Sequence, residues 1–156
     1  MIEFLLNNLD HMAPIIGLGI FVWGCGGSTS GDALEKLFQS RDVWRAQQLQ
    51  SYSYEYQQIC FCPFSGETFR VIVRDNVVVD AVSLNTGAHV MELDQFSTID
   101  ELFDYLENAL DENPSQFEAA YDLQLGYPRL VSFDRSSLAA DDEFSFSAEN
   151  LSSGEF

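Results

Sequence analysis

Two helix-like segments, each followed by strand-like segments, constrain the fold of this chain more than any other feature of its sequence. Residues 99–112 carry apolar side chains at helical spacing, and Thr98 with Glu101 predicts a capping box at their start. Residues 32–50 show a similar but less regular period. The residues after each segment instead alternate apolar and polar side chains, which is typical of strands half-buried in a sheet.

The strand candidates divide equally between the two halves of the chain. They are residues 51–62, two runs within 69–84, and residues 117–123, 129–134 and 144–147. Asp75 and Asn76 separate the two runs and both tolerate positive φ, so they predict a tight hairpin. The order α-β-β-β-α-β-β-β predicts one α+β domain, an antiparallel sheet of about six strands with two helices on one face. We expect residues 152–156 to be a frayed tail.

An apolar run near the start of the chain predicts where in the cell the protein is located. Ala13–Trp23 is shorter than the roughly 20 residues that a membrane-spanning helix needs, but it suits the core of a signal peptide. The residues Val22-Trp23-Gly24-Cys25 that end this run resemble a bacterial lipobox. The alternative is a buried apolar segment in which Cys25 is incidental.

The lipobox resemblance implies a lipoprotein. Residues 1–24 would be the signal peptide, and Cys25 would become the lipidated N-terminus, carrying acyl chains such as palmitate. Residues 25–31 would be the lipidated tether of an acidic domain over residues 32–151. Gly26 after the cysteine resembles the signal for the outer membrane. We therefore expect an exported protein, anchored to the cell envelope and facing the periplasm, with several acyl chains giving stable attachment.

The charge of the chain bounds its partners. Lys and Arg total 7 against 25 Asp and Glu, which gives a formal net charge of −18. Such a surface repels phosphate backbones, so we expect no binding of nucleic acid. A basic partner, a cation or simple solubility is compatible with this charge, and an envelope protein is one possible partner.

Two cysteines in one predicted strand are the first candidates for chemistry. Cys60 and Cys62 would share a strand face, and an oxidising periplasm favours a disulfide between them. Alternate Cα atoms of a flat strand are roughly 6.5–7 Å apart, at the far edge of disulfide geometry, so bridging requires a bend near Pro63. A structural disulfide, free buried thiols, a metal site and a redox site all remain open.

A metal site would need further ligands. His89 would join Cys60 and Cys62 for Zn²⁺, and Met91 could add a thioether for Cu(I). The alternative is an exposed loop histidine. We expect no resident cofactor.

The chain shows no catalytic constellation, so we expect it not to be an enzyme. His89 is the only histidine after Cys25, and no Gly-x-Ser-x-Gly motif accompanies it. The run Asp141-Asp142-Glu143, with Asp122 or Asp134, could bind Ca²⁺, but it lacks the spacing of a calcium loop and also fits a solvated acidic loop.

The tyrosines Tyr52, Tyr54 and Tyr56 lie on one face of the first predicted strand. They are either core beneath the two helices or an exposed aromatic platform. We expect core, because two amphipathic helices need a sheet face to cover.

Two short motifs carry a resemblance to a known family. Cys60-Phe61-Cys62-Pro63 and Leu125-Gly126-Tyr127-Pro128 lie within a stretch from Trp44 to Leu151 that resembles a family of uncharacterised bacterial lipoproteins and secreted proteins, classed as a domain of unknown function. The resemblance implies the fold and location described above, and no activity.

These observations lead to two functional hypotheses. The first is an envelope-anchored lipoprotein whose domain is a non-enzymatic binding module. The second is a thiol-based metal-handling or redox protein that uses Cys60 and Cys62.

Overall fold

The computed structural model describes residues 30–135 and 143–154. Cys25, the predicted signal peptide, and Asp141 and Asp142 of the proposed calcium run lie outside the described residues. The helices are α1 (Ser30–Ala46) and α2 (Ile99–Asp111), and the strands are β1 (Tyr52–Ile59), β2 (Thr68–Arg74), β3 (Val77–Ser83), β4 (Gln116–Tyr121), β5 (Pro128–Asp134) and β6 (Glu143–Ser153). A short 3₁₀ helix (Leu93–Gln95) precedes α2. The predicted element order is confirmed.

The six strands form one antiparallel sheet in the order β3-β2-β1-β6-β5-β4. Each half of the chain contributes a helix and a three-stranded meander, and the pairing of β1 with β6 joins the halves at the centre. This arrangement confirms the predicted single α+β domain. Among residues 30–135 and 143–154, no helix combines the length and apolar character needed to cross a membrane.

Helix α2 forms as its sequence predicts. The Thr98 side chain accepts a hydrogen bond from the backbone N–H of Glu101 at 3.2 Å, and the Glu101 carboxylate accepts one from the N–H of Thr98 at 2.7 Å. Its buried apolar positions are Ile99, Leu102, Phe103, Leu106, Ala109 and Leu110. Capping and periodicity therefore both stabilise this helix.

The first helix is shifted from its predicted bounds. It begins at Ser30 rather than Asp32 and ends at Ala46 rather than Gln50. Gln48 adopts a left-handed backbone with φ of 54° soon after the helix ends.

The hairpin prediction is confirmed, since Asp75 and Asn76 have φ of 51° and 61° between β2 and β3.

Three strand boundaries differ from prediction. Strand β1 ends at Ile59, so Cys60 and Cys62 lie in the following turn. Strand β4 stops at Tyr121 because Asp122 accepts hydrogen bonds from the backbone N–H groups of the next loop. Strand β6 continues to Ser153, where its last residues pair with the start of β1, so the frayed-tail prediction is wrong for residues 152 and 153.

Both helices lie on one face of the sheet, and the β1 tyrosines are buried beneath them. The core interpretation of Tyr52, Tyr54 and Tyr56 is therefore confirmed. The Tyr52 hydroxyl accepts a hydrogen bond from the N–H of Ile99 at 2.8 Å, and the Tyr54 hydroxyl donates one to the carbonyl of Ser97. Burial raises the pKa of Tyr54 well above its ordinary value, which keeps its hydroxyl protonated as a donor.

An ion-pair cluster that the sequence analysis missed holds α1 against α2. The buried guanidinium of Arg41 donates to Asp104 and Glu107, both at 2.6 Å, and lies 5.4 Å from the centre of the Phe103 ring. The side chain of Arg41 is 8% exposed, whereas that of Asp104 is 66% exposed. The carboxylates thus keep water contact while the cation is shielded between the helices.

The Leu-Gly-Tyr-Pro motif joins the β4–β5 loop to α1. Gly126 has φ of 83°, and a Cβ there would clash with the carbonyl oxygen of Ser40 and the backbone N of Trp44. Only glycine allows this approach. Tyr127 and Pro128 after it are buried, so three consecutive residues of the motif are constrained by packing.

We predict that Tyr52→Phe lowers the free energy of unfolding by about 1–3 kcal/mol, because it leaves the buried N–H of Ile99 without its acceptor. Tyr121→Phe is the matched control. Its hydroxyl is buried without a hydrogen-bond partner among the described residues, so its loss is expected to be neutral or stabilising. Urea unfolding of both variants measures the difference, and equal destabilisation would contradict the role given to Tyr52.

Candidate functional site

The sheet face opposite the helices, here called the open face, carries the polar positions of the strands. On β5 and β6 these include Ser132, Asp134, Glu143, Ser145 and Ser147, which alternate with the buried residues of the helix-covered face. Within the described part of the chain no helix covers this face. It is therefore the surface on which a ligand could contact the sheet directly.

A groove of about 540 Å³ lies on the open face where β1 ends and β4 and β6 begin. We call it the loop-end groove. Its lining residues are Ile59, Cys60, Phe61, Gln116, Glu118, Ser132, Phe133, Asp134, Glu143, Phe144 and Ser145. They come from both halves of the chain, so only the folded sheet assembles it.

Three carboxylates give the loop-end groove its charge. Asp134 is directly opposite Glu143 in the sheet register, and Glu118 is opposite Ser132 on the neighbouring row. Among the residues that the structure describes, none of those lining the groove is Lys, Arg or His. Three carboxylates along one groove give it a negative potential, which favours a positively charged group over an anionic one.

The loop of residues 60–67, here called the cysteine loop, forms one wall. The carbonyl of Gln58 accepts a hydrogen bond from the N–H of Gly66 at 2.7 Å, and the Ser65 hydroxyl accepts one from the N–H of Cys60 at 3.2 Å. Phe64 and Gly66 adopt left-handed backbone with φ of 60° and 78°. These bonds close the loop soon after β1 ends.

Two phenylalanines of this loop have opposite environments. The Phe64 ring packs edge-on against the buried Phe69 ring at 5.4 Å between centroids and so attaches the loop to the core. Phe61 is 91% exposed, next to Ile59, which is 58% exposed. Phe61 and Ile59 therefore form an apolar lip at the loop-end groove.

Cys60 and Cys62 are in close contact at the start of the cysteine loop, with Cα atoms 5.2 Å apart. This separation lies within the range that disulfides adopt. The longer Cα–Cα distance of a flat strand, which would disfavour a disulfide, does not apply here. Both cysteines lie beyond the end of β1, in a turn. Structural and redox uses of the pair both remain compatible with this geometry.

The predicted metal ligands are not assembled. His89 lies beside the edge strand β3, where it bridges Val82 and its Nδ1 is 2.9 Å from both carboxylate oxygens of Asp80. Strand β2 separates β3 from β1, whose end leads to Cys60 and Cys62. No group of three potential ligands that could hold a metal is present among residues 30–135 and 143–154. The His89 side chain is 66% exposed, as the loop-histidine alternative predicts.

The proposed calcium ligands are only partly brought together. Glu143 and Asp134 meet in the loop-end groove, whereas Asp122 lies at the far end of β4, where its carboxylate caps the β4–β5 loop. Glu118 is a groove residue that the sequence analysis missed. The alternating pattern of this strand indicates that Glu118 is exposed. Which residues lie beside it depends on the register of β4 with β5, which the sequence pattern does not specify.

A protein-family profile described as a family of unknown function (DUF6174) matches residues 36–153. The chain belongs to the DUF6174 family. This membership confirms the coarser part of the predicted resemblance, over a span that starts before Trp44 and ends after Leu151. Comparisons with curated proteins and with solved structures give no match.

The DUF6174 match covers every strand of the sheet and all of α2. The loop-end groove and the cysteine loop therefore lie within the DUF6174 domain. Cys25 lies outside the matched residues, so the family match does not test the predicted lipid attachment.

Proposed function

We propose that the chain is an envelope-anchored lipoprotein, attached through acyl chains on Cys25, whose DUF6174 domain binds a cationic envelope partner without catalysing a reaction. The observation that carries the binding part is the loop-end groove, which is lined by Glu118, Asp134 and Glu143 and, within residues 30–135 and 143–154, by no basic residue. An acidic groove concentrates cationic groups and repels anionic ones.

The apolar lip supports a protein or peptide partner over a simple cation. Phe61 and Ile59 expose apolar surface beside the carboxylates. Aromatic anchors next to polar groups are typical of protein interfaces. A partner that carries basic side chains and one apolar side chain would match both parts of this surface.

The position of Ser30 supports an anchor near the groove. The Ser30 hydroxyl donates to the Asn113 side chain at 3.2 Å, and Asn113 shortly precedes β4, whose first residue lines the groove. A short tether from Cys25 would therefore enter the domain at its groove end.

We predict that the membrane-extracted protein begins at Cys25 and carries acyl chains, as intact mass spectrometry would show. Cys25→Ser removes the acceptor thiol, so this variant should be unacylated and should leave the membrane fraction. Cys62→Ser is a control that should remain acylated. An unacylated wild-type chain, or one that retains residues 1–24, would refute the anchor.

We predict that the domain binds a fluorescent peptide of alternating Lys and Val, measured by anisotropy. The double variant Glu118→Gln, Glu143→Gln should weaken binding about 3- to 10-fold, from the loss of two partly screened charge contacts. The variant Glu92→Gln, Asp94→Asn removes the same charge from an exposed site near β3. Equal weakening by both double variants would mean non-specific attraction and would contradict binding in the groove.

A second candidate function uses the cysteine pair. The contact between Cys60 and Cys62 lies on an exposed loop beside the groove, where a partner thiol could reach it. In thiol–disulfide exchange, the pair would accept two electrons and two protons from a partner dithiol and leave that partner with a disulfide. The folded loop would keep both thiols together after reduction.

We predict that alkylation gains two labels on Cys60 and Cys62 only after reduction, and that glutathione buffers interconvert the two forms while the domain stays folded. Circular dichroism monitors the fold, and Cys60→Ser with Cys62→Ser is the control. Cu(I) titration of the reduced protein tests metal handling by the same thiols. A pair that glutathione cannot reduce, or a domain that unfolds on reduction, would make the disulfide purely structural.

A further inference from the structure

The two edge strands of the sheet, β3 and β4, differ in whether another segment of the described chain pairs with their outer backbone groups. The edge of β3 is covered by the chain segment that follows it. The N–H of Ser83 donates to the carbonyl of Ala88 at 2.9 Å, the N–H of Val90 donates to the carbonyl of Ala81 at 2.8 Å, and Val82 bridges His89. This segment satisfies backbone groups that an edge strand would otherwise expose.

The opposite edge, β4, has no strand paired to its outer side among the described residues. Its residues Gln116–Tyr121 include no Lys or Pro, the usual protective residues at sheet edges, and Glu118 is its one charged residue. The register shift at Ala120 and Tyr121 affects only its end. The regular part of β4 therefore presents alternate backbone N–H and C=O groups for pairing.

Grooves lie on both sides of this edge. Gln116 and Glu118 line the loop-end groove on the open face. On the other face, a second groove of about 240 Å³, here called the helix-side groove, lies between α1 and β4. Its lining residues are Ala33, Lys36, Phe117, Glu118, Ala119 and Tyr121. A strand added beside β4 would thus find space for alternate side chains on each face.

We infer that β4 is the docking edge for an extended segment of a partner protein, which pairs with it as a seventh strand. This inference rests on the proposed binding function and specifies its mode. The segment would carry Lys or Arg at the positions that face Glu118, the one charged residue of β4. Its alternate positions would carry small or apolar side chains that enter the helix-side groove.

Charge selects this occupant over a second copy of the chain. Pairing β4 with β4 of another copy would place the Glu118 side chains of both copies along the same seam. Each copy also carries a net charge of −18. Like charges placed together at an interface oppose association, whereas a basic segment is attracted.

The test uses peptides in which only the backbone changes. The parent is a capped peptide of alternating Lys and Val, and the two variants are N-methylated at every Val or at every Lys. In a strand, alternate N–H groups point to opposite edges, so one variant loses its bonds to β4 and the other keeps them. We expect one variant to bind the full-length protein in mild detergent about 10-fold or more weakly, and the other to bind like the parent.

The outcomes separate strand addition from the proposed function. If the parent binds and both N-methylated peptides bind equally, strand addition is wrong while binding in the groove stands. If the parent does not bind at all, the proposed function fails together with the inference. A control peptide with a block of Lys followed by a block of Val should bind more weakly, and equal affinity would also overturn strand addition.

Hydrogen exchange of the β4 amides gives an independent readout. Alternate amides within residues 116–120 should exchange rapidly in the free protein and slow down when the parent peptide binds. The amides of Ser83 and Val90 at the covered edge are the control and should not change. If the β4 amides are already slow in the free protein, another segment of the chain occupies the edge, and the inference is overturned.

Discussion

The row of tyrosines on β1 is the interaction on which the rest of the structure depends. Strand β1 lies at the centre of the sheet and pairs with both halves of the chain. Tyr52 packs edge-on against Trp44 of α1 at 5.2 Å between ring centroids, and its hydroxyl caps the first N–H of α2. One strand thus fixes the position of both helices. Large aromatic side chains suit this role because each combines extensive apolar contact with a polar tip.

Burial of this row decides the character of the opposite face. The helices cover the positions occupied by tyrosine, phenylalanine and valine, so the alternate positions must face away from the core. Those positions on β4, β5 and β6 are mainly Ser and acidic residues, with Gln116, Ala120 and the exposed Leu130 among them. The loop-end groove is therefore a consequence of the same alternation that builds the core, and its wall is added by the cysteine loop, which Phe64 holds against Phe69.

The parts of the fold that the sequence predicted are those governed by neighbouring residues. The capping box and period of α2, the Asp75-Asn76 turn and the order of elements all follow from local chemistry, and all are confirmed. The pairing of β1 with β6 joins residues far apart in sequence, and no local pattern encodes it. The meeting of Glu118, Asp134 and Glu143 depends on the registers of β4 with β5 and of β5 with β6, which the alternating pattern of each strand does not specify, so only part of the acidic groove was predicted. The Cys60–Cys62 contact was foreseen as a pairing but was assigned to a strand that in fact ends before it.

The acidic groove also links binding to stability. Asp134 and Glu143 are directly opposite each other across β5 and β6, so two carboxylates share one face of the folded domain. A cationic group that bound only the folded groove would stabilise the folded state by RT ln(1 + L/Kd), where L is its free concentration. The remaining stability comes from the aromatic core and from Arg41 between the helices, both on the other face. The domain can therefore keep opposed like charges on one face because its folding is supported mainly by the other.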